Sequence, residues 1–206
     1  DYLLNIKNFP IEMTDERLPK SFALGMATST RGACHMRSRP SLDIIGLPEE
    51  VLKKIYGGPL SNQFSSYFGK GRMVWWHELL NAVCDSLGFC RFLTVFSSPH
   101  ALQYNQFSKL IALSTGLTFP PKELRTIGER IYTLERMMLV KEGISRQDDT
   151  LPKRYFNEPI PDGPAHGEVI FQEEFDKMLD EYYHLHGWDK NGVPKKKNLK
   201  KLRLDR

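Results

Sequence analysis

From Pro121 to about Lys141 the apolar residues Leu124, Ile127, Ile131, Leu134 and Met138 recur three and four apart. That spacing makes one continuous stripe and predicts an amphipathic helix. Its two prolines fall at the start, where a helix tolerates them, and Gly143 marks the stop. Phe171, Phe175, Met178, Tyr182 and Leu185 predict a last helix on the same grounds, closed by Gly187 and the turn "DKNGVP". The run from Arg72 to Leu87 is long for a strand and lacks alternation, so it predicts a helix buried on all sides. Shorter helices are predicted from Pro48 to Tyr56, stopped by Gly57-Gly58, and from Pro99 to Ser114, stopped by Gly116. Residues 57–71 and 144–168 read as loops, and residues 1–48, broken by Pro10, Pro19, Pro40 and Pro48, as irregular chain. Strand signals are weak, near residues 92–96 and 168–171. The predicted fold class is mainly α, with long Gly/Pro-rich loops and no internal repeat.

Composition narrows this picture. A chain of 206 residues, 40% hydrophobic and 26% charged, buries its own core without disulfides. Its three cysteines, Cys34, Cys84 and Cys90, are too few for a secreted framework and point to a reducing, cytoplasmic setting. No run of about 18 apolar residues spans a membrane. The start, "DYLLNIKNFP", has no signal-peptide pattern and reads as the interior of a longer polypeptide. The net charge of +4 belongs to the end, "KKKNLKKLRLDR", which reads as a solvated terminus. Without it the chain is slightly acidic, so no nucleic-acid partner is expected.

Two short stretches carry candidate chemistry. "TSTRGACHMRSR" places Arg31, His35, Arg37 and Arg39 in a Gly- and Ser-rich loop. Guanidinium forks and mobile backbone amides suit an oxyanion, and His35 can move a proton. The bland alternative is a solvated basic loop. "DSLGFC", residues 85–90, follows the buried run. As a plain helix end it has Gly88 as the cap, Asp85 exposed and Cys90 in the core. As a metal site it is incomplete, since a cluster or tetrahedral centre needs four ligands and the chain has no C-x-x-C. His77, on the apolar run, reads as a hydrogen-bonded core histidine. His184 and His186 do not share a helix face, which makes them a poor metal pair. "RQDD", residues 146–149, reads as loop and cap chemistry.

"RGACHMR", then "DSLGFC", then "GERIYTLERMMLVKEGISRQDDTLPKRYFNEPIPDGPAHG" and "DEYYHLHGWDKNGVP" resemble, in order, the C-terminal part of tungsten-containing aldehyde ferredoxin oxidoreductases. The resemblance covers essentially the whole chain. It implies a tungsten bis-molybdopterin cofactor (tungstopterin) beside a 4Fe–4S cluster, with Mg2+ as an accompanying ion. Asp85 would accept hydrogen bonds from a pterin, the Phe89 backbone would line it, and Cys90 would be the fourth cluster ligand. Arg31 and Arg37 match pterin contacts, and His35 a histidine that hydrogen-bonds the substrate oxygen or moves its proton. Residues 1–116 would carry the pterin and cluster contacts, and 117–206 the terminal helices and basic tail. The N-terminal β-domain, the first pterin motif and three more cluster cysteines would lie upstream. The implied partners are the remainder of the catalytic subunit, a ferredoxin or iron–sulfur electron-transfer subunit, a small aldehyde or acyl substrate, and further copies in an oligomer. The stretch between His35 and Asp85 is longer than the family pattern, with the excess in "GGPLSNQFSSYFGKG". The same scaffold serves class II benzoyl-coenzyme A reductases, which reduce an aromatic ring. From a different class, the alternative is a helical binding module that uses its basic tail.

Overall fold

The structure is a computed structural model that describes residues 3–12, 14–95 and 98–205. Among these it contains a small hairpin, β1 (Asn5–Ile6) and β2 (Phe9–Pro10), and helices α1 (Lys20–Thr28), α2 (Glu49–Tyr56), α3 (Lys70–Leu87), α4 (Tyr104–Thr115), α5 (Pro121–Lys141), α6 (Lys153–Asn157), α7 (Gln172–His186) and α8 (Lys196–Leu202). The mainly α class is as expected. α3 is the central rod and packs against α1, α5 and α7. Its Val74 and Leu79 enter one core with Leu24, Tyr132, Phe175, Met178 and Tyr182. Its Met73, Trp76, Leu80 and Val83 enter a second with Leu52, Tyr56, Phe107 and Leu124. Cores on both sides explain a helix sequence without amphipathic alternation.

Several expectations change. Residues 1–48 are not merely irregular. α1 lies in them with nearly every residue buried, and the hairpin turns through Lys7 and Asn8, both with positive φ. The helix expected from Pro99 begins at Tyr104. α6 lies inside the 144–168 loop. The 92–96 signal holds only a bridge between Thr94 and Leu102, and residue 96 lies outside the described residues. No strand forms at 168–171 among the described residues. The basic end is a helix rather than a solvated tail. Leu202 is fully buried, and its carbonyl accepts Arg130 Nε at 2.7 Å. Asn198 Nδ2 donates to His186 O at 2.7 Å.

Polar groups hold the interior. Asp149, read as loop chemistry, is fully buried, 2.7 Å from Lys7 Nζ and 2.8 Å from Arg136 Nη2. Glu78, also fully buried, accepts the Tyr132 hydroxyl at 2.8 Å and the Tyr182 hydroxyl at 2.7 Å. Beside it lies His186, with Nε2 3.5 Å from Glu78 and Nδ1 2.8 Å from Glu129. Burial disfavours the His186 cation, but the Glu129 and Glu78 carboxylates outweigh this and hold its pKa up at about 9. His77, bonded through Nε2 to the Tyr56 hydroxyl at 2.9 Å, is pushed down by burial to about 3.

These two histidines predict opposite pH limbs around their ordinary value of 6.5. Native His186 holds its proton where the unfolded chain loses it. Its contribution is full below pH 6.5 and lost as pH rises through about 9. Native His77 stays neutral where the unfolded chain protonates, so its contribution is lost as pH falls from 6.5 through about 3. The alkaline limb amounts to ~3 kcal/mol at 1.36 kcal/mol per pKa unit. Denaturation midpoints from pH 6 to 10 should fall less steeply in His186→Gln than in the wild type. Parallel curves would refute the assignment.

Candidate cofactor site

The central helix ends as a capping turn. Gly88 takes the left-handed conformation at φ 71°, where L side chains are strained. Its N–H donates to Asp85 O at 3.3 Å, and the Phe89 N–H to Cys84 O at 3.0 Å. The turn leaves Asp85 on the last helical turn with its side chain 44% exposed, and Cys90 exposed just beyond. Cys90 is therefore not the core residue of the bland alternative. Cys84 is. Burial, then the Asp85 carboxylate, push its thiol up to about 12. The Phe89 ring leans on Phe107 with centroids 5.3 Å apart.

The arginine loop leaves α1 at Thr28 and is held on three sides. Gly32, at φ 77°, sits against the hairpin, where a Cβ would lie 2.6 Å from the Phe9 Cβ. Buried Asn81 on α3 donates through Nδ2 to the carbonyls of Arg37 (3.1 Å) and Ser38 (3.0 Å). Glu135 on α5 accepts the Thr30 hydroxyl at 2.6 Å with the same oxygen that pairs with Arg37 Nη2. The Arg37 guanidinium also lies 5.4 Å from the centre of the Tyr132 ring.

So placed, Arg37 meets Asp85, with Nη1 to Oδ2 at 3.5 Å. Arg91 reaches the same carboxylate, Nη2 to Oδ2 at 2.5 Å and Nε to Oδ1 at 3.2 Å. Arg31, exposed, donates through Nη2 to Cys34 Sγ at 3.0 Å. His35 turns to another side. Its Nδ1 lies 2.7 Å from Glu12 Oε2, and it lines a cavity of about 310 Å³ with Thr14, Glu16, Phe22 and Arg39. Burial lowers the imidazole pKa, outweighing the Glu12 carboxylate, so the ring is neutral at pH 7. The structure thus gathers Arg37, Asp85 and the Cys90 turn, and sets His35 on an adjoining cavity. Glu135 and Asn81 carry no local sequence signal. Arg91 had one, as the cation directly after Cys90. His184 is exposed and His186 buried, so these two make no metal pair. Among the described residues, no group of three or more His, Cys, Asp and Glu is arranged to hold a metal ion. Nor, among them, is any helix long and apolar enough to cross a membrane.

Packed helices that end in an acid, an exposed thiol and arginines form the candidate site, and the relatives of this chain are named oxidoreductases. The sequence matches the family model described as "Aldehyde ferredoxin oxidoreductase, domains 2 & 3" over residues 1–204, and the chain belongs to that family. It is similar to the tungsten-containing aldehyde ferredoxin oxidoreductase of Pyrococcus horikoshii, 32% identical over 207 residues, covering 100% of this chain and 31% of the relative. The protein of the same name from Pyrococcus abyssi is also 32% identical, with the same coverage. The chain therefore spans about a third of the length of these curated relatives. A solved structure of the active site complex BamBC of benzoyl coenzyme A reductase, in complex with 1,5 dienoyl-CoA, shares the fold. It has a TM-score of 0.67 and 24% identity, covering 98% of this chain and 32% of that one.

Proposed function

We propose that this chain is part of the catalytic subunit of a tungsten bis-molybdopterin, iron–sulfur oxidoreductase. The subunit oxidises an aldehyde to a carboxylic acid and passes the electrons to a ferredoxin. The observation that carries this reading is the Arg37–Asp85 pair beside exposed Cys90, in a family whose curated relatives are named tungsten-containing. The residues fit the cofactor. Among the described residues, Arg37 Nε–H is buried without a hydrogen-bond partner, and Asp85 is exposed beyond its guanidinium partners. An acid and guanidinium forks suit the polar edge of a pterin, and an exposed thiol suits a cluster that draws its other ligands from elsewhere.

Bound tungstopterin and a 4Fe–4S cluster would supply the two-electron exchange and its division into single steps. The chain's own residues do the rest. Asp85 and Arg37 orient the pterin, with Arg31 and the Phe89 backbone at its margin. Cys90 holds one cluster position. Residues 1–116 make these contacts, and 117–206 brace them through Tyr132 and Glu135. Neutral His35, on its cavity, accepts a hydrogen bond or a proton as water adds to the carbonyl. The balance is aldehyde plus water to acid, two protons and two electrons.

Metal analysis and aldehyde-dependent dye reduction by the intact protein test this reading. Neither tungsten nor molybdenum in the protein would overturn it. The second reading, aromatic-ring reduction of benzoyl-coenzyme A, fits the fold likeness, which both activities share and which does not separate them. Turnover of that thioester without aldehyde oxidation would favour it. His35→Ala should retain tungsten and lose turnover by ~10²–10⁴-fold, the usual contribution of a proton-transfer group. Full activity would remove His35 from the mechanism.

A further inference from the structure

Arg91 has a geometry that a surface ion pair does not explain. It opens a short 3-10 turn, Arg91–Leu93, pinned by Leu93 N–H to Cys90 O at 3.0 Å and Thr94 N–H to Arg91 O at 2.9 Å. Its side chain is only 11% exposed although it pairs with an acid at the surface. Exposed pairs contribute little and keep their remaining donors in water. Arg91 does not, because its Nη1 is buried with no hydrogen-bond partner among the described residues. Arg37, which meets the same carboxylate oxygen, leaves Nε in the same condition. Two arginines on one carboxylate thus each hold a buried donor with no hydrogen-bond partner among the described residues, an arrangement that costs desolvation without return. An ionised carboxylate has about four acceptor positions, and the side chain of Asp85 is 44% exposed, so it still has room to accept.

A pterin offers two kinds of edge. Its 2-amino group and N3–H donate. Its O4 accepts, as guanine O6 does, and can take an arginine N–H. A carboxylate serves only the first edge. We propose that Arg91 is a further cofactor-binding residue, donating to the acceptor edge of the pterin while Asp85 accepts from the donor edge. Arg91 also holds Asp85 in place for that contact. This inference rests on the pterin reading above.

The test uses the intact holoenzyme with Arg91→Gln and Arg91→Lys. Tungsten, pterin (by fluorescence after oxidative release) and iron are followed through dialysis, with the melting temperature as a fold control. Arg91→Gln should lose tungsten and pterin together about tenfold faster than wild type, the effect of one charge-assisted contact. Iron and melting temperature should hold. Lys should not restore retention, because a point charge does not replace a planar fork. Wild-type retention in either variant would overturn the inference. So would iron lost in parallel with tungsten, which would make Arg91 a support for the Cys90 turn alone. Absence of tungsten and pterin from the wild type would instead overturn the underlying cofactor reading, and this inference with it.

Discussion

Asp149→Ala should cost about 3–5 kcal/mol of stability, the range for removing one partner of a buried ion pair. Asp149 is fully buried and faces two buried cations, Lys7 and Arg136, whose side chains are 5% and 1% exposed. It also accepts the Tyr183 hydroxyl at 2.5 Å. Without the carboxylate both cations stay in a low-dielectric interior without their counter-charge. Burial already lowers the Lys7 pKa, with Asp149 opposing it, so Lys7 would give up its proton more readily in the variant. The loss should appear as a lower denaturant midpoint at unchanged slope. The effect should also reach the candidate site. Lys7 Nζ donates to the carbonyls of Ala27 and Ser29, the stretch that leads into Arg31. Faster amide exchange from Ser29 to Arg37 should accompany the loss. A change under ~1 kcal/mol would show that the group is solvated and the triad is not a staple.

The same triad shows where sequence reading stops. In "RQDD", Asp148 does cap the turn, accepting Ser145 N–H at 2.8 Å. Its neighbour Asp149 is matched to residues far along the chain, which no local pattern announces. Helices with punctuation were legible: α2, α5 and α7 carry Gly or Pro boundaries, and α3 is a long apolar run. α1 was not, because a helix buried on all sides has no stripe, and its Gly, Ser and Thr look like loop. α8 was hidden by charge, since only Leu199 and Leu202 mark its inner side. In α5 the stripe found the helix but not the buried face. Leu134 and Met138 are 46% and 63% exposed, while Tyr132 and Arg136 are buried through polar partners. At the site, "RGACHMR" and "DSLGFC" were legible as local motifs. Their meeting depends on Glu135, 98 residues from Arg37, and Asn81, 44 residues from it. Tertiary contacts of this kind have no periodicity to read.

If the protein carries the proposed iron–sulfur cluster, Cys90→Ala should strip it from the intact protein and, with it, the route for electrons out of the site. The three free cysteines sit in contrasting surroundings. Cys34 and Cys84 are buried, and Cys84 is held as a thiol by its pKa of about 12. A cluster ligand must be open to the metal, which takes the thiol's proton off on binding. Cys90 alone is exposed, and the Arg91 guanidinium is the next residue. The Gly88 turn also fixes its backbone, so that a cluster bound there would sit on the same turn as Asp85 and close to any pterin that Asp85 holds. Removing one of four thiolates leaves a cluster open to water and to loss of iron. The expected result is iron well below wild type and a bleached visible spectrum. Folding should be little changed, because an exposed side chain contributes little to the core. Cys84→Ala provides the control. It should cost stability through a cavity while leaving iron in place. Unchanged iron and spectrum in Cys90→Ala would remove Cys90 as a ligand. Equal iron loss in both variants would assign the effect to the helix end rather than to the thiol.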